Sequence, residues 1–208
     1  MTNRQQHWNE VYATRPIMRL GWYKARLHVS LDWITDLGLA PDDRAIDVGA
    51  GASTLVDDLL DRGHRSITIL DISENAIIAV RDRLGERADR VKYVVGDITD
   101  VALPDSGFAL WHDRAAFHFL TDARDRRRYR DRLAASLRSG GHAIIGTFAP
   151  EAPEKCSGLP VRRYDLEQLV TELGREFELL DHCKELHVTP GGVEQMYQFA
   201  LFRFTATG

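Results

Sequence analysis

A glycine turn between a buried strand and a helix is the feature that most constrains this chain. Residues 45–48 are apolar apart from Asp47, the turn follows with Gly49 and Gly51, and apolar residues then recur at helical spacing. The next apolar run ends in Asp71. This order of elements brings a loop backbone against a nucleoside and offers a carboxylate to two ribose hydroxyls.

The acid ahead of the first glycine indicates which kind of nucleoside is bound. A carboxylate at Asp47 would repel the pyrophosphate of a dinucleotide, whereas it would attract a cationic ligand. S-adenosylmethionine carries a sulfonium and an ammonium group but no phosphate. With Asp47-x-Gly49-x-Gly51 and Asp71, the sequence resembles the class I S-adenosylmethionine-dependent methyltransferases, and S-adenosyl-L-methionine is the expected cofactor.

Apolar runs alternate with helical patterns along most of the chain, which predicts a doubly wound α/β fold with a Rossmann-like parallel sheet. Two long final strands are joined by only a short Pro-Gly-Gly turn, so they must pair antiparallel. The resemblance implies seven strands in the order 3-2-1-4-5-7-6, with strand 7 antiparallel. The predicted strands cover residues 44–48, 66–70, 91–95, 108–112, 142–148, 177–188 and 195–205.

At 208 residues the chain is long enough for one α/β domain, so a single methyltransferase domain over 1–208 is expected. Residues 41–208 would form its core, and residues 1–40 an N-terminal helical lid. Relatives fold such an extension over the cofactor and exclude water. Trp22 beside Gly21 is the best lid candidate. Alternatively, the N-terminal aromatic residues only dock helices onto the sheet.

The first four predicted strands end in acids, at Asp47, Asp71, Asp97 and Asp113, and these should converge at one edge of the sheet. In doubly wound sheets the ligand lies there, where the strand order reverses. Carried over from the family, Asp71 would bind the ribose, Asp97 the adenine amino group with Ile98 against the ring, and Asp47 with Gly49 the methionine end. The full set expected to contact the cofactor is Trp22, Asp47, Gly49, Ala50, Gly51, Asp71, Ile72, Asp97 and Ile98.

The end of the fourth strand, Trp111-His112-Asp113-Arg114-Ala115, is where the methyl acceptor should bind. It resembles the Trp-Asp-Arg-Gly pattern of thiopurine and related thiol methyltransferases. Two departures are a histidine inserted before the acid and an alanine in place of the glycine.

Three residues are candidates for catalysis. Asp113 would accept the acceptor's proton, and Arg114 would lower a thiol's pKa or hold an anionic substrate. His118 is a second candidate base. Alternatively, Asp113 pairs with Arg114 or caps the next helix, and His118 is a satisfied, semi-buried residue.

These features predict methyl transfer to a small molecule, most simply S-methylation of a thiol or related soft nucleophile. A protein-lysine N-methyltransferase is one alternative, because such enzymes of this fold carry a similar Asp-Lys-Gly at this point. A non-catalytic module that binds S-adenosylmethionine is another.

The overall charge and composition limit the classes of binding partner that we expect. The chain has 27 basic and 31 acidic residues and a formal net charge of -4, so no nucleic-acid partner is expected. No apolar run approaches membrane-spanning length, so we expect no membrane partner and a cytoplasmic monomer or homodimer. Cys156 and Cys183 should be reduced there. Without a Cys-x-x-Cys pair, no metal is expected.

Overall fold

The computed structural model describes residues 3–206 and is built on a seven-stranded sheet with the order β3-β2-β1-β4-β5-β9-β8. Strands β1 to β5 run parallel, while β9 pairs antiparallel with both β5 and β8. A separate two-stranded hairpin pairs β6 with β7. The strands are β1 Ala45–Val48, β2 Ile67–Asp71, β3 Val91–Val95, β4 Phe108–Arg114, β5 Leu137–Phe148, β6 Lys155–Cys156, β7 Leu159–Pro160, β8 Phe177–Val188 and β9 Glu194–Phe204.

Six α-helices connect and flank these strands: α1 Asn3–Thr14, α2 His28–Asp36, α3 Leu55–Asp61, α4 Glu74–Leu84, α5 Ala123–Ser136 and α6 Leu166–Leu173. Side chains at their starts explain where three of them begin. Ser73 accepts from the Ala76 N–H at the start of α4, and Asp122 accepts from the Arg124 N–H at the start of α5. Asp165 forms a capping box at the start of α6.

The predicted fold class and strand order are confirmed. The small β6–β7 hairpin was not anticipated, so strands 6 and 7 of the prediction are β8 and β9 here. The start of β5 and the end of β4 differ from the prediction. β5 begins at Leu137, and β4 continues past residue 112 to Arg114. The prediction had ended β4 before the Asp-Arg pair, whereas the structure places that pair inside the strand.

Two hydrophobic cores lie on opposite faces of the sheet. One packs α2, α3 and α4 against β1 and β2, and the other packs α5 and α6 against β4, β5 and β9. All residues of β1 and β2 are buried, as expected for parallel strands covered on both faces. Within residues 3–206, the structure contains no helix with the length and apolar character needed to cross a bilayer.

The N-terminal segment divides into two parts with different positions. Helix α2, which was assigned to the lid on sequence grounds, contributes Leu31 and Ile34 to the first core instead. Only α1 and the turn around residues 17–22 remain to cover the carboxyl ends of the strands. These ends surround the gap between β1 and β4, where the strand order reverses.

Candidate active site

A cleft that encloses about 750 Å³ of space, part of it open to solvent, lies at the carboxyl ends of β1 to β4. A second region of about 450 Å³ adjoins it beneath residues 17–27. The two share Trp22, Gly49 and Arg114 as walls. The site is therefore one elongated cleft at the position the fold predicts.

Both glycines of the turn are required by their surroundings. Gly49 has a φ of +60° and Gly51 a φ of +54°, where side chains are disfavoured. A Cβ at Gly49 would collide with Ala116, and one at Gly51 with the Tyr12 hydroxyl. Gly49 lines both regions of the cleft, whereas Gly51 lies beneath Tyr12 and lines neither. Ala50 lines the second region.

Asp71 presents a prepared carboxylate at the end of β2. Its Oδ2 accepts from the Gly51 N–H at 2.7 Å, and its Oδ1 accepts from the Ser73 N–H at 2.8 Å. Burial raises its pKa to about 6. Each oxygen can accept a further hydrogen bond, and the residue lines the first region. This arrangement fits a pair of ribose hydroxyls.

The end of β3 supplies a polar edge beside an apolar surface. Oδ1 of Asp97 accepts from the Thr99 N–H at 2.9 Å and the Thr99 hydroxyl at 2.7 Å. Ile72 and Ile98 line the same region. A carboxylate next to apolar side chains suits a flat heteroaromatic ring with an amino group.

Asp47 supplies the negative charge of the second region. It is 4% exposed, and its Oδ1 lies 2.7 Å from Nδ1 of His112. Its Oδ2 is buried and has no hydrogen-bond partner in the part of the chain that the structure describes. A buried carboxylate oxygen is costly unless a donor reaches it. An ammonium group meets that need, so these residues fit the amino-acid end of S-adenosylmethionine.

Aromatic side chains from the N-terminal segment cover the cleft. The rings of Trp8 and Trp22 meet edge to face with centroids 5.5 Å apart, and Trp8 meets Phe119 in the same way at 5.0 Å. Tyr12 meets Trp22 at 5.9 Å. Arg4 forms an ion pair with Asp125 of α5 at 2.7 Å, which connects this segment to α5. Trp22 lines both regions, as a lid residue would.

Arg114 is a buried cation in the wall of the cleft. Its Nη1 donates to the Trp22 carbonyl at 2.9 Å, and the guanidinium lies 4.7 Å from the centroid of the Tyr197 ring. Within residues 3–206, its buried Nε and Nη2 have no hydrogen-bond partner, and no carboxylate forms an ion pair with it. The side chain lines both regions.

Asp113 does not line the cleft, where a catalytic base would have to lie. Successive strand residues point to opposite faces, so within β4 Asp113 shares the face of Trp111 while Arg114 lies on the other. Its carboxylate accepts from the Tyr129 hydroxyl at 2.7 Å and from the N–H groups of Ala116 and Phe117. The geometry gives it the capping role that was the alternative.

His118 is also separated from the cleft. It is fully buried and its Nδ1 accepts from the Phe148 N–H at 3.2 Å. Burial, together with the nearby charge of Arg114, lowers its pKa to about 3. The imidazole therefore stays neutral, and the ring contacts Phe119 and Phe148. The structure gives no support to its use as a base.

Two residues near Arg114 were not predicted as site residues. Tyr197 of β9 lies beneath the Arg114 guanidinium, and nothing in its local sequence marks it. Cys156 lines the cleft, and burial raises its pKa to about 11, so the thiol is protonated at neutral pH. Cys156 and Cys183 are both free, and no group of three or more His, Cys, Asp or Glu side chains in residues 3–206 is placed to hold a metal.

Comparisons of sequence identify relatives of the central region. Residues 45–141 match a family model described as a methyltransferase domain. The eEF1A lysine and N-terminal methyltransferase of Bos taurus is 26% identical over 149 residues, which are 69% of this chain and 21% of that protein. Its Drosophila melanogaster homologue is 28% identical over 144 residues. The chain spans about a fifth of the length of these relatives.

Comparisons of structure cover nearly the whole chain. One similar structure comes from work on the conversion of a disulfide bond into a thioacetal group during echinomycin biosynthesis. It superimposes with a TM-score of 0.80 at 18% sequence identity, and the match covers 99% of this chain and 94% of that protein. A second is the 1,6-didemethyltoxoflavin-N1-methyltransferase of Burkholderia thailandensis, solved with S-adenosylhomocysteine. It superimposes with a TM-score of 0.68 at 22% sequence identity, and the match covers 95% of this chain and 82% of that protein. The methyltransferase-domain match covers just under half of this chain, and the fold and the cleft are those expected of a protein that binds S-adenosylmethionine.

Proposed function

We propose that the enzyme methylates the sulfur of a small thiol or a related soft nucleophile. The observation that carries this proposal is the uncompensated guanidinium of Arg114, buried in the wall of the cleft. A cation in this position stabilises a thiolate and lowers the pKa of a bound thiol. It also opposes the entry of a lysine side chain, whose ammonium carries the same charge.

The remaining residues around Arg114 fit this chemistry. S-adenosylmethionine would supply a methyl group whose leaving group, a neutral thioether, needs no proton from the protein. The chain then needs only to orient the acceptor, exclude water and hold it as an anion. Trp8, Trp22 and Phe119 provide the closed apolar wall, and Arg114 the charge. Cys156, with its raised pKa, stays protonated and does not compete as a nucleophile.

A protein-lysine acceptor is the second candidate. The observation that favours it is the sequence similarity to the eEF1A lysine and N-terminal methyltransferases, at 26% to 28% identity in two of these relatives. The protein related to thioacetal formation resembles this chain along nearly its full length and is associated with sulfur chemistry. Its identity of 18% carries the fold alone, so the choice between acceptors depends on the site.

A panel of acceptors with labelled cofactor tests the proposal. Thiols, selenols, phenols, amines and lysine-containing peptides are incubated with the enzyme, and transfer of label to each is measured. We expect transfer to thiols and selenols, with the highest kcat/KM for anionic members. Methylation of lysine peptides without methylation of any thiol would overturn the proposal and establish the second candidate.

A further inference from the structure

The histidine inserted in β4 makes two buried side-chain contacts that the proposed acceptor chemistry does not use. His112 is 1% exposed. Its Nδ1 lies 2.7 Å from Oδ1 of Asp47, and its Nε2 lies 2.9 Å from the hydroxyl of Ser30. Because the three residues come from β4, β1 and α2, they connect the two strands of the switch point to the helix beside them.

The chemistry of the three groups fixes how the protons are placed. An ionised carboxylate only accepts hydrogen bonds. Nδ1 of His112 therefore donates to Asp47, while Nε2 forms a hydrogen bond with the Ser30 hydroxyl. Together the two contacts set the orientation of the ring. The ring thus reaches only one of the two oxygens of Asp47.

The other oxygen of Asp47 has no hydrogen-bond partner among residues 3–206. It is the buried Oδ2, and both Asp47 and His112 line the second region of the cleft. Ser30 is not among the lining residues, so it acts behind the histidine. The arrangement is therefore a carboxylate in the wall of the cleft, with one oxygen held by His112 and the other lacking a donor.

We propose that His112 is a positioning residue for the amino-acid end of the cofactor. By donating to Oδ1, it fixes the orientation of the Asp47 carboxylate so that Oδ2 accepts from the ammonium group of S-adenosylmethionine and S-adenosylhomocysteine. Ser30 fixes the imidazole in the required orientation. This role is independent of the methyl acceptor.

Binding of two probes by titration calorimetry tests the proposal. One probe is S-adenosylhomocysteine, and the other is its deaminated analogue, which keeps the adenosine and the carboxylate but lacks the ammonium. In His112→Leu, affinity for S-adenosylhomocysteine should fall by about tenfold or more, the effect of losing a hydrogen bond to a charged group. Affinity for the analogue should stay within about twofold of the wild-type value, since nothing in it contacts Asp47 Oδ2.

Two further variants separate positioning from general damage. The amide of His112→Asn places an N–H close to the position of Nδ1, so it should restore most of the affinity for S-adenosylhomocysteine. Ser30→Ala leaves the ring in place without its second contact, so it should give a smaller loss, again confined to S-adenosylhomocysteine. If His112→Leu does not fold, Ser30→Ala alone decides the matter.

Two results would overturn the proposal. Equal loss of both probes in His112→Leu, without rescue in His112→Asn, would mean that the histidine only supports the fold. Unchanged affinity for S-adenosylhomocysteine in both His112→Leu and Ser30→Ala would show that Asp47 needs no positioning. Neither result depends on whether a thiol is methylated, so failure of this proposal is distinguishable from failure of the proposed function.

Discussion

Asp113 and Arg114, which are neighbours at the end of β4, have different roles because successive side chains of a strand point to opposite faces of the sheet. Asp113 caps the turn that follows, while Arg114 enters the cleft. Ala115 then adopts a φ of +73°, a left-handed conformation that favours glycine. This strained turn brings Ala116 against Gly49. The alanine that departs from the thiol methyltransferase pattern therefore keeps the backbone geometry that a glycine would adopt more easily.

Asp113→Asn tests whether the acid is a base or a cap. The amide oxygen can still accept from the Ala116 and Phe117 N–H groups, so the variant should fold, with a loss of about 1–3 kcal/mol in unfolding free energy. Turnover per folded molecule should stay within about threefold of wild type. A general base would instead lose about 10²–10⁴-fold in kcat. Denaturant unfolding and steady-state kinetics measure the two quantities.

Arg114→Ala tests the source of acceptor activation. A graded series of thiols should lose about 10- to 100-fold in kcat/KM at the high-pKa end, and much less where the thiol is already ionised. Binding of S-adenosylhomocysteine should be largely intact. Arg128→Ala, which removes an exposed arginine of α5, is the matched control. Equal losses across the series would remove Arg114 from this role.

We expect Asp71 to make cofactor binding depend on pH. Its pKa of about 6 means that the carboxyl takes up a proton below pH 6, whereas accepting from ribose hydroxyls favours the ionised form. Affinity for S-adenosylhomocysteine should therefore be constant above about pH 7 and fall by up to about tenfold for each pH unit below 6. Asp71→Asn should bind more weakly at pH 7, and its affinity should not change between pH 5 and 7. A wild-type affinity independent of pH over this interval would contradict the assignment.

At the scale of elements, α1 and the turn after it act as the cover of the cleft. Trp8 contacts Trp22 and Phe119, so Trp8→Ala removes the ring that joins the cover to the wall. We expect about tenfold weaker binding of S-adenosylhomocysteine with little change in the unfolding of the sheet. Met18→Ala, a change at a side chain 67% exposed on the same segment, should leave binding unaltered. Fluorescence titration of both variants measures the effect.

The strand-end residues that line the cleft could be predicted because they lie in short segments. Asp47, Gly49, Asp71 and Asp97 each follow from a local pattern. The surroundings of Arg114 could not be predicted, because Tyr197 reaches Arg114 only through the antiparallel insertion of β9 beside β5. The misplacement of Asp113 arose from ending β4 too early, since period-two alternation through Arg114 separates the two side chains. The same alternation places His112 on the face of Arg114.

For the whole molecule, we expect S-adenosylhomocysteine, but not NAD, to raise the free energy of unfolding. At a free S-adenosylhomocysteine concentration of 100 times Kd, linkage adds about 2.7 kcal/mol to the unfolding free energy. For a chain of this length that corresponds to a rise of roughly 5–11 °C in Tm. NAD at the same concentration should give no rise, because the Asp47 carboxylate at the glycine turn repels its pyrophosphate. Thermal unfolding at pH 7 measures both, and equal stabilisation by NAD would contradict the account of how this turn selects its ligand.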